Sequence, residues 1–215
     1  MSQKEITSIN DTHYKGLPLM IKHGPYYVSY LETIYRVMHQ AMEAHPRTAA
    51  FRFDLHLPSD DGDPKKKLWI DGLIDRLIDR FIESLKSQIK YARAKAQRAY
   101  PYAHTTGIRY IWAREYSKVG KMHFHFVLFL NRDAYRKFGY FGSDRENTYN
   151  RVLQAWSSAL GFDCTGLVHV PRNAVYELNR NNQQQINEFF HRASYLAKVA
   201  TKSQGSRHDF GGSRS

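Results

Sequence analysis

Lys121-Met122-His123-Phe124-His125-Phe126-Val127-Leu128-Phe129-Leu130-Asn131 sets two histidines around one apolar residue and continues as an apolar run. The run is too short to cross a membrane and rich in strand-forming residues, which predicts a buried β-strand. Side chains at i and i+2 of a strand share a face, so His123 and His125 present two imidazoles from a rigid support. Such a pair is the start of a metal site.

The preceding residues supply a third ligand. Ile108-Arg109-Tyr110-Ile111-Trp112-Ala113-Arg114-Glu115 reads as a second strand, joined to the first through Tyr116-Ser117-Lys118-Val119-Gly120. A three-residue hairpin loop wants a glycine in the left-handed region at its last position. With Lys118-Val119-Gly120 as that loop, Ser117 faces Lys121, and Glu115 falls opposite His123 on the same face. Two imidazoles and one carboxylate then converge with coordination positions left open.

A His-apolar-His strand preceded by a strand bearing Glu resembles the HUH endonuclease superfamily. Its members are rolling-circle replication initiators, relaxases and single-strand transposases, which cut single-stranded DNA with a metal ion and a tyrosine. The resemblance implies a metal held by Glu115, His123 and His125, with Mn²⁺ or Mg²⁺ favoured by the mixed nitrogen and oxygen ligands and a phosphate substrate.

The rest of the composition fits a polyanionic partner. The 215 residues carry 32 Lys and Arg against 20 Asp and Glu, a net charge of +12, and 15 tyrosines. Basic residues interleaved with aromatics suit single-stranded nucleic acid. The single cysteine, Cys164, excludes an internal disulfide and a multi-cysteine zinc site. No signal peptide or membrane-spanning segment is visible, so the cytoplasm of a bacterial host is the expected location.

Taken in order, residues 1–45 form an N-terminal extension whose apolar spacing from Tyr27 to about Ala44 predicts an amphipathic helix ending before Pro46. Ala49 to Pro58 alternates with period two. Phe51, Phe53, Leu55 and Leu57 face one way, and Arg52, Asp54 and His56 face the other. This strand resembles the first HUH-family motif. His56 stands near the metal, near DNA, or simply on an open sheet face. Ser59 to Lys67 reads as a charged loop. Leu68 to about Ala99 carries a helical apolar stripe that turns basic through Lys86, Lys90, Arg93, Lys95 and Arg98, as a solvated face or a phosphate contact. A helix is expected over Asn147 to Leu160 with Gly161 as its C-terminal cap. Thr165 to Val170 is a strand candidate, and Asn173 to Leu178 a strand or loop.

Asn181 to Ala200 has Ile186, Phe189, Phe190, Ala193, Leu196 and Ala197 at helical spacing. The opposite face carries Glu188, His191, Tyr195, Lys198 and Lys202. Tyr195-Leu196-Ala197-Lys198 matches the Tyr-x-x-Lys motif of HUH initiators, which implies Tyr195 as nucleophile with Lys198 one turn away. One tyrosine occupies this position, not a pair. The end of the chain, residues 203–215, is glycine-rich and basic, a flexible tail by composition. Its Phe210-Gly211-Gly212-Ser213-Arg214 also resembles the ending of the YagK/YfjJ-like replication proteins of filamentous phages, prophages and phage satellites. Arg52 to Leu55 and Trp112 to Glu115 resemble strands of the same group.

The resemblance implies an α+β catalytic domain over 46–202. Its central antiparallel sheet of about five strands, RRM- or ferredoxin-like in plan, bears the metal on one face and is flanked by helices. It implies a replication initiator that nicks origin DNA, as single strand or hairpin, and leaves a 5′-phosphotyrosyl enzyme and a free 3′-hydroxyl. With no Walker motif, a host helicase and polymerase are expected to act with it. Arg52, His56, His191, Lys202, Arg207 and Arg214 are candidate DNA contacts. Rival readings are a relaxase or transposase of the same superfamily, a non-catalytic DNA-binding regulator, an RNA-binding sheet, and a hydrolase without a covalent intermediate.

Overall fold

The computed structural model describes residues 7–58, 76–117, 120–200, 202 and 209–214. Four two-residue strands, β1 (Ser8–Ile9), β2 (His13–Tyr14), β3 (Leu17–Pro18) and β4 (Tyr26–Tyr27), open the chain. They pair as two small antiparallel ladders, β1 with β4 and β2 with β3. Helix α1 (Val28–Ala44) follows and stops at His45, which is extended (φ −140°, ψ 100°). Pro46 requires this, because its ring clashes with a helical predecessor.

The core is a six-stranded antiparallel sheet with helices on both faces. Its strands are β5 (Arg47–His56), β6 (Arg109–Tyr116), β7 (Met122–Asn131), β8 (Val168–His169), β9 (Val175–Asn179) and β10 (Phe210–Gly212). The order runs β10-β6-β7-β5-β8, and β9 also pairs with β5. The sequence predicts about five strands. The strand beyond that number is β10, from the end of the chain; β5, ten residues long, holds the two short strands expected near 165–178 along one edge. β9 lies against Arg47–Phe51, and β8 against Asp54–Leu55.

β7 sits between β6 and β5 and is covered on both faces. A strand in that position needs continuous rather than alternating apolar residues, hence its long apolar run. Phe124, Phe126 and Leu128 join Phe51, Phe53 and Leu55 under helices α2 (Leu77–Ala99) and α3 (Thr148–Leu160), with Phe81 and Trp156 fully buried among them. Val127 and Phe129, with Ile111 and Ala50, pack on the other face beneath α1 and helix α4 (Gln183–Ser194). α3 begins with the Asn147 side chain accepting from the Asn150 N–H and ends at Gly161 in the left-handed region (φ 80°). The start of the helix expected from Leu68, like the loop expected from Ser59, lies outside the described residues. No helix among the described residues is long and apolar enough to cross a membrane.

The expectation of a loose chain end is corrected. Phe210–Gly212 is an edge strand of the main sheet, with Gly211 opposite Trp112. Asp209 fastens it, accepting from Arg114 Nε at 2.9 Å with both side chains buried. Gly211 is required by close approach, because a Cβ there would stand 2.7 Å from the Trp112 indole nitrogen. Gly211→Val is therefore expected to displace this strand and lower stability by about 1–3 kcal/mol, as overpacking does. Thermal and denaturant melts check it, and an unchanged midpoint would count against the docking.

Candidate active site

The hairpin of β6 and β7 sets the site. Glu115 is the direct cross-strand partner of His123, and Ala113 that of His125. The Ser117 N–H donates to the Lys121 carbonyl at 2.9 Å, and Gly120 takes φ 74°. Lys118 and Val119 of the turn lie outside the described residues. The register derived from Gly120 is the one observed.

Glu115, His123 and His125 bring one ligand atom each to within 4.8 Å of one another. His123 Nε2 lies 3.3 Å from His125 Nε2, and His125 Nε2 lies 3.3 Å from Glu115 Oε2. Ligands about 2.1 Å from a tetrahedral ion stand about 3.4 Å apart, so these spacings fit a divalent cation. The surroundings fit as well. His125 Nδ1 lies 2.6 Å from Asp54 Oδ1, so the carboxylate holds the ring with Nε2 turned into the triad. Metal-binding histidines are held in this way by a carboxylate on the far nitrogen.

Two ammonium groups balance Glu115. Lys198 Nζ lies 2.8 Å from Oε2 and Lys202 Nζ 3.0 Å from Oε1, and all three side chains are almost wholly buried. Burial opposes ionisation of Glu115, but the His125 hydrogen bond and the Lys202 charge outweigh it and hold the carboxyl far below its usual range. Burial pushes Lys202 down to about 8. Burial also lowers His123, whereas on His125 it is overcome by hydrogen bonds to Asp54 and Glu115, which raise that imidazole.

Tyr195 stands beside this cluster. Its ring centre is 5.9 Å from that of His125, and Lys198 Nζ lies 3.3 Å from the Tyr195 ring centre. The route there differs from the continuous helix expected over 181–200. α4 ends at Ser194, Tyr195–Ala197 forms one 3-10 turn, and Lys198 is extended (φ −59°, ψ 144°). The N-terminal segment meets the chain at the break. Met20 N–H donates to Ser194 Oγ at 3.1 Å, Val199 N–H donates to the Pro25 carbonyl at 2.9 Å, and Tyr26 pairs with Lys198 as an isolated bridge. His23 packs edge-on against Tyr195, ring centres 4.9 Å apart.

The remaining candidates divide. Lys202, expected as a surface phosphate contact, is corrected to a buried partner of Glu115, which also donates to the Arg114 carbonyl at 3.1 Å. Arg52, another expected DNA contact, is corrected likewise: it is only 3% exposed, enclosed between Asp54, Tyr176 and Arg192. His191 is exposed on α4. Arg214 is exposed, but the direction of β10 carries it towards Tyr110, away from Glu115. Arg207 lies outside the described residues. His56 is the cross-strand partner of His123. The sequence reading missed Asp54 and His169 as site residues. Asp54 and His56 share the i, i+2 spacing of the two chosen histidines, and His169 sits in a Val-His-Val strand, so the signal was present. His23 had no such signal.

The raised His125 gives a pH dependence. A group that gains affinity for its proton on folding contributes stability fully present below its unfolded pKa, about 6.5 for imidazole, and lost as pH rises through the higher folded value. A cation must displace that proton from Nε2. Affinity for Mn²⁺ should therefore keep rising with pH past about 6.5. Calorimetric titrations from about pH 6 to pH 8.5 check this, and a plateau already reached at 6.5 would contradict it.

A sequence model of the YagK/YfjJ C-terminal domain matches residues 9–213. The chain is 34% identical over 200 residues to the uncharacterized protein YfjJ of Escherichia coli (strain K12), covering 89% of this chain and 96% of that one. It is 34% identical over 193 residues to the uncharacterized protein YagK of the same strain, covering 84% and 89%. No solved structure matches it significantly. With the match spanning nearly the whole chain, this protein belongs to the YagK/YfjJ C-terminal domain family.

Proposed function

We propose that this chain is a metal-assisted nickase of single-stranded DNA, of the HUH type, that initiates rolling-circle replication. The observation that carries the reading is the approach of Tyr195 and Lys198 to the Glu115–His123–His125 triad. A nucleophile, a cation over its ring and a set of candidate metal ligands are the parts that phosphodiester transfer to tyrosine needs. The sheet is compatible with the HUH core, with the His strand central and the Glu strand beside it. The net charge of +12 suits a phosphate-bearing substrate.

In this reading the Tyr195 phenol oxygen attacks the scissile phosphorus. A phosphorus–oxygen bond forms to the enzyme, the bond to the 3′ oxygen breaks, and the phenol proton leaves to solvent while the 3′ oxygen takes one up. The products are a 5′-phosphotyrosyl link and a free 3′-hydroxyl, and the link conserves the bond energy for later rejoining. A bound Mn²⁺ or Mg²⁺ supplies Lewis-acid compensation of phosphate charge. Lys198, held by Glu115 against the Tyr195 ring, stabilises negative charge developing on the phenol oxygen. Lys202, its side chain buried, keeps Glu115 ionised and in place.

Incubation of the full chain with single-stranded DNA and Mn²⁺, with and without EDTA, then denaturing gels, tests this. Tyr195→Phe should abolish the covalent adduct and leave DNA affinity within a few-fold, since phosphate contacts carry most of it. An adduct that persists in the variant would move the nucleophile elsewhere, and no adduct with the unaltered chain would sink the proposal. Lys198→Ala should slow single-turnover cleavage at saturating DNA about 10²-fold, with affinity little changed. Weakened binding with unchanged cleavage at saturation would reduce Lys198 to a phosphate clamp.

A further inference from the structure

The face that carries the first triad carries a second beside it. Asp54, His56 and His169 also bring ligand atoms to within 4.8 Å of one another. Asp54 and His56 are two apart on β5 and so share a face. His169 on β8 is the direct cross-strand partner of Asp54, and its Nδ1 lies 3.2 Å from Asp54 Oδ2. That separation again suits two ligands of one ion. The groups are held in place. The His56 N–H donates to the Leu167 carbonyl at 2.8 Å, and its own carbonyl accepts from the Trp156 indole at 2.9 Å. Asp54 Oδ1 is engaged by His125, which leaves Oδ2 turned to His169. The His169 side chain is 60% exposed, so the outer side of the cluster opens to solvent. The two triads adjoin, with His56 opposite His123, their rings 5.5 Å apart and 13° from parallel.

We propose that Asp54, His56 and His169 bind a second divalent cation, of the Mn²⁺ or Zn²⁺ class, next to the Glu115–His123–His125 centre. Two imidazoles and one carboxylate on adjacent strands form a donor set for that class, with positions left for water or phosphate oxygen. Asp54 serves both centres, orienting His125 with one oxygen and ligating the second ion with the other. Resting on the nickase reading, the role of this ion is to take a phosphate oxygen of the nucleotide adjoining the scissile linkage. The strand would then be gripped on both sides of the attacked phosphorus.

The test is titration of the full chain with MnCl₂ alone, following free Mn²⁺ by electron paramagnetic resonance, with thermal melts to verify folding. The expected result is two ions per chain. His169→Gln and His56→Gln should each remove one or weaken it at least tenfold, and His123→Gln should remove the other. Crystals soaked in Mn²⁺ give a second readout that does not depend on how the variants fold, namely an anomalous peak between Asp54, His56 and His169. One ion per chain that is indifferent to His169→Gln, no ion, or no such peak would overturn the proposal. Two ions without a DNA adduct would remove the nickase reading and leave this site standing. An adduct with a single ion insensitive to His169→Gln would do the opposite.

Discussion

The arrangement depends on one buried carboxylate. Glu115 is reached at once by His125, from its own hairpin, and by Lys198 and Lys202, from the segment that follows α4. A buried anion without partners would be costly, and so would two buried ammonium groups without an anion. Each group makes the others tolerable where it is. The cluster thereby couples the hairpin that bears the imidazoles to the segment that bears the phenol. Removing any one member would leave an uncompensated charge and loosen the join between Tyr195 and the sheet.

The sheet divides one face between two tasks. Along β7, Val127 and Phe129 are sealed beneath α1 and α4, whereas His123 and His125, further along the same face, are only half-buried. The two-residue period makes this possible without any bend in the strand. The covered end anchors the two histidines on a rigid support, so their spacing is set by backbone hydrogen bonds. Asp54 extends the polar end sideways onto β5 and links it to β8.

Much of this was legible because strands and hairpins obey short-range rules. Gly120 fixed the turn, the turn fixed the register, and the register put Glu115 opposite His123. The spacing that revealed His123 and His125 was equally present in Asp54 and His56, but a mixed carboxylate–imidazole pair is a weaker signal than two histidines. Helical periodicity runs past the true end of α4, because the apolar stripe continues through Leu196 and Ala197 while the backbone at 198–199 pairs with Pro25 and Tyr26 instead. Nothing local to Lys198 or Lys202 announces burial. A lysine on a basic chain reads as solvated until its buried counter-ion is known. The docked β10 was hidden for a similar reason, since glycine-rich composition fits both a loose end and a strand pressed against an indole.

The contact between residues 20–26 and 194–199 sets an order of assembly. The hairpin of β6 and β7 closes between neighbours in sequence, whereas Met20 and Ser194 are 174 residues apart. Closing a loop grows entropically more costly with its length, and distant pairings are made late. The imidazoles and the carboxylate can therefore assemble while the phenol is still unplaced. A chain caught at that stage would hold the two imidazoles and the carboxylate in register with the phenol not yet beside them, and the cluster would be complete only with the last long-range closure.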